Sequence, residues 1–333
     1  MKEPGNPPLV LRRGARYACY GDGLCCTDVH GLGPVSFAEK VQLGLVASRP
    51  VRYDPQLGHE VLAVDEEGRC RFLGEGGGCR IYEAMDGRLK PRSCHRFPLG
   101  LTDTPAGWRV TMAYRCSCQT RSAHAPPLTA ERARALLEPE RDGDDAAGHR
   151  VREFMLRAGE QASFEAYLSA EEELLGILEE RGTEALDETL PSLAGVSWEV
   201  LGRGMASGPV ASRFDAALRF FGDALVRLEG GVTEIEGRRP WADVFARAAA
   251  RPAPQPEALL RSWLADLVWA MHWTDHATFA QFRRGLGVRV AVARSVAARI
   301  GGATAWAEAV MVADLVGSSP WWEAAEGRIL ASE

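Results

Sequence analysis

The chain is expected to fold as an α+β protein in two unequal parts, a small irregular cysteine-rich domain over 1–125 followed by an all-helical domain over 126–333. Three observations predict this. All eight cysteines precede residue 120, and none lies in the 215 residues after Cys118. The first 120 residues are rich in Gly and Pro and are broken into short apolar runs, whereas from about Leu128 the chain turns to Ala, Leu, Glu and Arg at helical spacing. The pair Pro126-Pro127 marks the junction.

In order along the chain, residues 12–20 are read as an extended lead-in. Ser36 with Glu39 three residues later has the form of a capping box. The apolar Val41, Leu43, Leu45 and Val46 behind it predict a short helix over 36–48. Residues 60–64 and 108–112 are predicted strands, the second entered from the turn Thr104-Pro105-Ala106-Gly107. Residues 74–78, one Glu among glycines, are predicted to form a tight loop. Periodicity then predicts helices over 129–138, 146–158, 162–180, 197–205, 210–228, 240–250, 256–273, 276–299 and 303–316. The prolines of Arg251-Pro252-Ala253-Pro254-Gln255-Pro256 make that stretch a stiff linker. No repeat of fixed period is found.

With 46% hydrophobic and 25% charged residues over 333 positions, the composition is that of a folded protein. A net charge of −6 and a pI near 5.8 give no overall basic field, so nucleic acid is not an expected partner. The charge is uneven. Residues 1–120 hold 16 Lys+Arg against 13 Asp+Glu, a balance of +3, which leaves 23 against 32, or −9, for the rest. The opening Met-Lys-Glu-Pro-Gly-Asn-Pro-Pro lacks the apolar stretch of a signal peptide, and no run of 18 apolar residues occurs. A cytoplasmic protein without a membrane partner is the expectation.

In a reducing cytosol eight cysteines are not expected to pair as disulfides, and cysteines acting as small hydrophobes would be spread over the whole chain. Their confinement makes 1–125 a candidate metal-binding domain. Such a domain has little regular core, and bound metal would supply stability that its packing lacks. In Cys19-Tyr20-Gly21-Asp22-Gly23-Leu24-Cys25-Cys26 the glycines permit the backbone angles of a tight metal loop. Neighbouring side chains diverge, so Cys25 and Cys26 are hard to bring to one ion, and one of them is expected to serve a second centre or to support the first. The other thiols are Cys70, Cys79, Cys94 and the pair in Cys116-Ser117-Cys118.

The run Cys70-Arg71-Phe72-Leu73, a glycine loop, Cys79-Arg80-Ile81-Tyr82, then Lys90-Pro91-Arg92-Ser93-Cys94-His95-Arg96-Phe97-Pro98, resembles a known family. It is the bacterial zinc- or iron-chelating cysteine-cluster family of the CxxCxxCC, YkgJ type, and the resemblance covers about residues 17–118. That family opens on Cys-x-x-Cys-Gly-x-Cys-Cys. The chain matches at Cys19, Gly23, Cys25 and Cys26 and has Asp22 where the family has cysteine. The resemblance implies a metal site drawn from Cys19, Asp22, Cys25, Cys26, Cys70, Cys79, Cys94, Cys116 and Cys118. Asp22 would ligate through oxygen, which suits a soft site less well than thiolate does. Zinc and iron–sulfur clusters both take four thiolates. Zinc knuckles favour paired Cys-x-x-Cys, which is not present, so the dispersed cysteines favour an iron–sulfur cluster, [4Fe–4S], over zinc. Eight thiols suffice for two centres.

His95, beside Cys94, stands where the family usually has Arg and is read as a surface or supporting residue. His272 and His276 have the i, i+4 spacing of a helical metal pair but no third ligand, so they are read as polar residues at a helix end, with Trp269 and Trp273 in the core. The glycines of 74–78 lack the Lys-Ser/Thr and the following helix of a phosphate loop and are assigned to the metal site. Neither a catalytic triad nor a nucleophile elbow is found. Two classes of function follow. One is a metal-binding module, structural or electron-transferring, whose helical domain docks a protein partner. The other rests on a weaker likeness to the flagellin lysine N-methylases, which share the plan of a cysteine-rich part on a helical part, with 259–315 as the similar stretch. That likeness implies S-adenosylmethionine, an iron–sulfur cluster and a protein lysine as substrate. Its pocket would lie where the Cys94 to Pro98 loop meets the acidic helical domain.

Overall fold

The computed structural model describes residues 8–54, 58–74, 78–85, 90–137, 149–151, 153–233, 237–248 and 255–330. Most of the glycine loop at 74–78 and of the linker at 251–256 lies outside them. In the amino-terminal part strand pairing dominates. Strands β1 (Leu9–Leu11), β2 (Val51–Asp54), β3 (His59–Leu62), β4 (Leu99–Thr104) and β5 (Gly107–Met112) are accompanied by helices α1 (Phe37–Leu43), α2 (Arg80–Met85) and α3 (Arg92–Arg96). The predicted hairpin turn at 104–107 joins β4 to β5, with Leu99 opposite Met112. The parallel strand β1 adds to β5, Leu9 opposite Trp108. β2 and β3 form a separate hairpin. The capping box forms as read: Ser36 Oγ accepts from the Glu39 N–H at 3.3 Å, and the Glu39 carboxylate accepts from the Ser36 N–H at 2.7 Å. The helix is shorter than expected, ending at Leu43 before Gly44. It buries Leu43 and leaves Phe37 and Val41 exposed.

The helix expected over 146–158 is corrected for the described residues of that stretch. They form β6 (His149–Arg150) and β7 (Phe154–Arg157), followed by β8 (Glu160–Ala162). Gly159, at φ 75°, takes a left-handed turn that folds β8 back on β7. His149 and Arg150 pair with Thr102 and Asp103 at the free edge of β4. These partners are distant in sequence, so periodicity could not see them.

Helices α4 (Ala130–Leu137), α5 (Phe164–Arg181), α6 (Trp198–Ser207), α7 (Arg213–Leu228), α8 (Ala242–Ala248), α9 (Pro256–Ala270), α10 (Phe279–Ile300) and α11 (Ala305–Gly317) follow the predicted ones closely, and α12 (Pro320–Glu326) is additional. Their starts are chemical. Ser163, Ser197, Ser212 and Thr278 each accept a backbone N–H from three residues on, which satisfies a donor that the first helical turn leaves free. Helix occupies about 51% and strand about 15% of the chain, the mixed α+β composition expected. Among the described residues no helix is long and apolar enough to cross a membrane.

The main core lies among α5–α7 and α9–α12. Trp198, Trp241, Trp263, Trp273 and Trp322 are fully buried in it. Leu24, Val29 and Tyr114 enter it from the amino-terminal part. Polar contacts fasten the sheet to the helices. Arg109 on β5 holds Glu171 on α5 through two bonds of 2.6 and 3.0 Å, and Arg12 holds Asp266 on α9 at 2.7 and 2.9 Å. Thr102 donates to the Ala270 carbonyl at 2.8 Å.

Helices α6 and α7 cross where both backbones are bare. A Cβ on Gly202 would stand 2.6 Å from the Gly222 carbonyl oxygen and 3.0 Å from Leu225. Gly202→Ala should therefore lower stability by about 1–3 kcal/mol through overpacking, although alanine gains about 1 kcal/mol of helix propensity. The check is a lower urea midpoint at unchanged slope. A variant as stable as the parent would mean that the helices separate at no cost.

Candidate metal centre

The first cysteine loop is built by backbone geometry. Gly23 sits at φ 75°, where a side chain would be strained, and starts a 3₁₀ turn over Leu24–Cys26 closed by the Cys26 N–H on the Gly23 carbonyl at 3.0 Å. A 3₁₀ turn has three residues per revolution, so consecutive side chains leave it about 120° apart. Leu24 points into the main core, while the Cys25 and Cys26 thiols stay close enough to act strongly on each other. The Cys70 N–H donates to the Cys26 carbonyl at 2.8 Å, and bridges at Thr27–Arg69, Val64–Cys70 and Leu73–Cys79 stitch the middle cysteines to this turn.

The thiols lie in two neighbouring groups. Cys19, Cys25, Cys116 and Cys118 all act electrostatically on the Tyr17 phenol. Cys118 is hydrogen-bonded to both Cys116 and Cys19, and its sulfur accepts the Tyr20 N–H at 3.2 Å. Cys26, Cys70, Cys79 and Cys94 share a small apolar cluster with Leu32, Leu43, Leu62, Phe72 and Ile81, and Cys94 feels each of the other three thiols. The two groups adjoin: Cys25 and Cys26 act most strongly on each other, Cys19 acts on Cys26, and Asp22 acts on Cys25, Cys26 and Cys118.

Their protonation follows from these neighbours. Burial pushes Cys94 up to about 12, opposed by Lys90, and pushes Cys70 up to about 11. Cys118 is raised to about 12, first by its bond to Cys116. Cys26 is lowered to about 7 by its bond to Cys25, with further help from Lys90. No disulfide is formed. Among the described residues, no three Cys, His, Asp or Glu side chains are grouped so as to hold a metal ion. The donor chemistry of each set, four thiols, is nevertheless the one that a closed zinc site or a [4Fe–4S] cluster takes.

Asp22 lies beside the first set. Its Oδ1 accepts the Leu24 N–H at 3.1 Å. Its Oδ2 accepts the Ser117 hydroxyl at 2.7 Å, contacts the Cys118 sulfur at 3.4 Å and pairs with the Arg121 guanidinium. The carboxylate is thus occupied as the anchor of a buried arginine. Sequence reading missed Tyr17, Ser117 and Arg121, because only the chain crossing at 116–121 brings them to the loop at 19–26. His95 is half-buried in α3. His272 and His276 do not share a helix face. His272 lies in a 3₁₀ turn against the His149 ring, 4.9 Å between centroids, and His276 accepts or donates to Glu326 at 2.8 Å. Trp273 is buried as expected, while Trp269 is half-buried beneath Arg109, whose guanidinium carbon lies 4.0 Å from the ring.

Comparison with family models, with curated proteins and with solved structures finds no match to this chain. The resemblance of residues 17–118 to the cysteine-cluster family therefore rests on its motif residues alone.

Proposed function

We propose that the chain is a cysteine-cluster metal-binding protein, in which a small irregular domain over 1–125 holds two centres and the helical domain receives a protein partner or substrate. What supports this reading is the gathering of eight thiols into two neighbouring groups, one acting on Tyr17 and one on Cys94, which meet at Cys25 and Cys26. Four thiolates complete a tetrahedral zinc site or a [4Fe–4S] cluster, and the dispersed spacing favours the cluster. Bound there, a cluster would lend stability to a region of thin core and the capacity to pass one electron.

Lys90 brings a cation to the second set, whereas the Arg121 charge beside the first is paired with Asp22. Tyr20 donates its backbone N–H to the Cys118 sulfur, the kind of bond that tunes a thiolate. The acidity of the chain after residue 120, 23 basic against 32 acidic residues, suits a basic protein surface as partner.

Protein purified without oxygen should be brown and contain iron and acid-labile sulfide in equal amounts, on the order of eight of each per chain. Two equivalents of zinc with no sulfide would replace the cluster assignment by a zinc one. Less than one metal per chain would overturn the reading altogether.

A further inference from the structure

The helical domain holds an open cavity of about 360 Å³, lined by Phe220 of α7, by Gly237, Arg238 and Arg239 of the segment before α8, and by Arg299 and Ile300 at the end of α10. The segment at 237–239 lies directly on α7. A Cβ on Gly237 would stand 2.3 Å from the Phe220 ring, so only a bare backbone passes there. The Arg299 guanidinium covers the same ring, 5.2 Å from its centroid. Two stretches 60 residues apart thus bring three guanidiniums to one opening.

Every charged residue of the lining is an arginine. The carboxylates that steady them stand behind the wall. Glu308 of α11, 1% exposed, accepts from Arg239 Nη1 at 3.0 and 3.2 Å, from the Trp241 indole at 3.1 Å and from the Thr304 hydroxyl at 2.9 Å. Arg239 makes no other bond among the described residues, so its Nε and Nη2 remain as donors on a side chain 34% exposed. Asp223, as deeply buried as Glu308, accepts from Arg227 at 3.0 Å and also from Arg299. Arg238 is exposed and has no ion pair among the described residues. Among those residues, four guanidiniums (Arg227, Arg238, Arg239 and Arg299) meet two carboxylates, an excess of two positive charges. It arises in the part of the chain that holds 23 basic against 32 acidic residues. Like charges gathered in this way repel, and a bound counter-charge offsets that repulsion.

We propose that this cavity binds the phosphate group of an organic phosphate. A guanidinium presents paired N–H donors that match phosphate oxygens. A phosphate monoester carries about −1.5 to −2 charge at pH 7, which the excess of two matches, whereas a monocarboxylate would leave one charge over. The space exceeds what phosphate alone would fill, since a water takes about 30 Å³ of liquid, and it lies within the range of small-molecule sites. Half-buried Ile300 gives the rest of the ligand an apolar wall. The site goes beyond the metal reading and does not depend on it.

The test is calorimetric titration of the full chain with sodium phosphate, adenosine monophosphate and a short phosphoserine peptide, against acetate, at constant ionic strength. Phosphate should saturate, and acetate should bind at least about tenfold more weakly. Arg238→Gln, at an exposed position, should weaken phosphate binding about tenfold, as loss of a charge-assisted bond does. Arg299→Lys keeps the charge, leaves Asp223 paired with Arg227 and loses the fork, so its affinity should fall between. Arg283→Gln removes the same charge from an exposed position four turns away on α10, about 24 Å along the helix, and should bind as the parent does. Tighter binding of adenosine monophosphate than of the peptide assigns the phosphate to a small molecule, and the reverse assigns it to a phosphorylated protein. The proposal is overturned by an absence of saturation up to roughly 10 mM phosphate, by acetate binding as tightly as phosphate, or by Arg238→Gln binding no more weakly than Arg283→Gln.

Discussion

Cys94→Ser and Cys118→Ser should each remove about half of the bound metal, and from different centres. Cys94 feels Cys26, Cys70 and Cys79, and Cys118 feels Cys19 and Cys116. On the proposed two-centre reading, neither serine reaches the other set. A single shared centre would lose all its metal in either variant. The effect on local stability should be large, since metal binding by small thiolate sites is worth about 10–16 kcal/mol of apparent free energy, and that is folding free energy where no site preforms. The second set is bedded in a cluster of few buried side chains, so Cys94→Ser should raise amide exchange over β2, β3 and 70–83. Helices α9–α11, whose core is independent of these thiols, should stay protected. Full metal content in both variants would show that neither cysteine is a ligand.

Arg109→Met should cost about 3–5 kcal/mol, because it leaves Glu171 as an unpaired buried charge. Arg109 is 3% exposed and Glu171 4%, so water cannot take over the lost partner. Glu171 also accepts the Tyr167 hydroxyl at 2.6 Å, and the Arg109 guanidinium lies over Trp269, so one substitution disturbs the seam between β5, α5 and α9. Adding Glu171→Gln removes the stranded charge and should restore a good part of the loss. Urea midpoints of the two single variants and the double variant give the coupling. A single-variant loss below about 1 kcal/mol, or no recovery in the double, would contradict the assignment of this pair as a fastening of sheet to helices.

Helix positions were legible because their determinants are local. Ser212 with Asp215 and Thr278 with Gln281 announce helix starts within four residues, and apolar spacing carries each helix onward. The stretch at 146–158 was not legible, since His149 and Arg150 become strand only by meeting Thr102 and Asp103. Asp22 shows the same limit at the candidate site. Its position in a cysteine motif suggested a ligand, while its partners, Ser117 and Arg121, come from a segment almost a hundred residues away.

By itself the sequence determined the mixed α+β class, the confinement of all eight thiols to the first 118 residues and the helices after residue 160. These follow from composition, from periodicity and from the geometry of adjacent residues, all of which act over a few positions. Only the tertiary structure decided which thiols act on one another, that Asp22 anchors Arg121, and that His149–Arg150, Phe154–Arg157 and Glu160–Ala162 are strand. Each of these depends on contacts between segments far apart in the chain. Burial and pairing across such distances are collective properties of the packed molecule, and no local pattern encodes them.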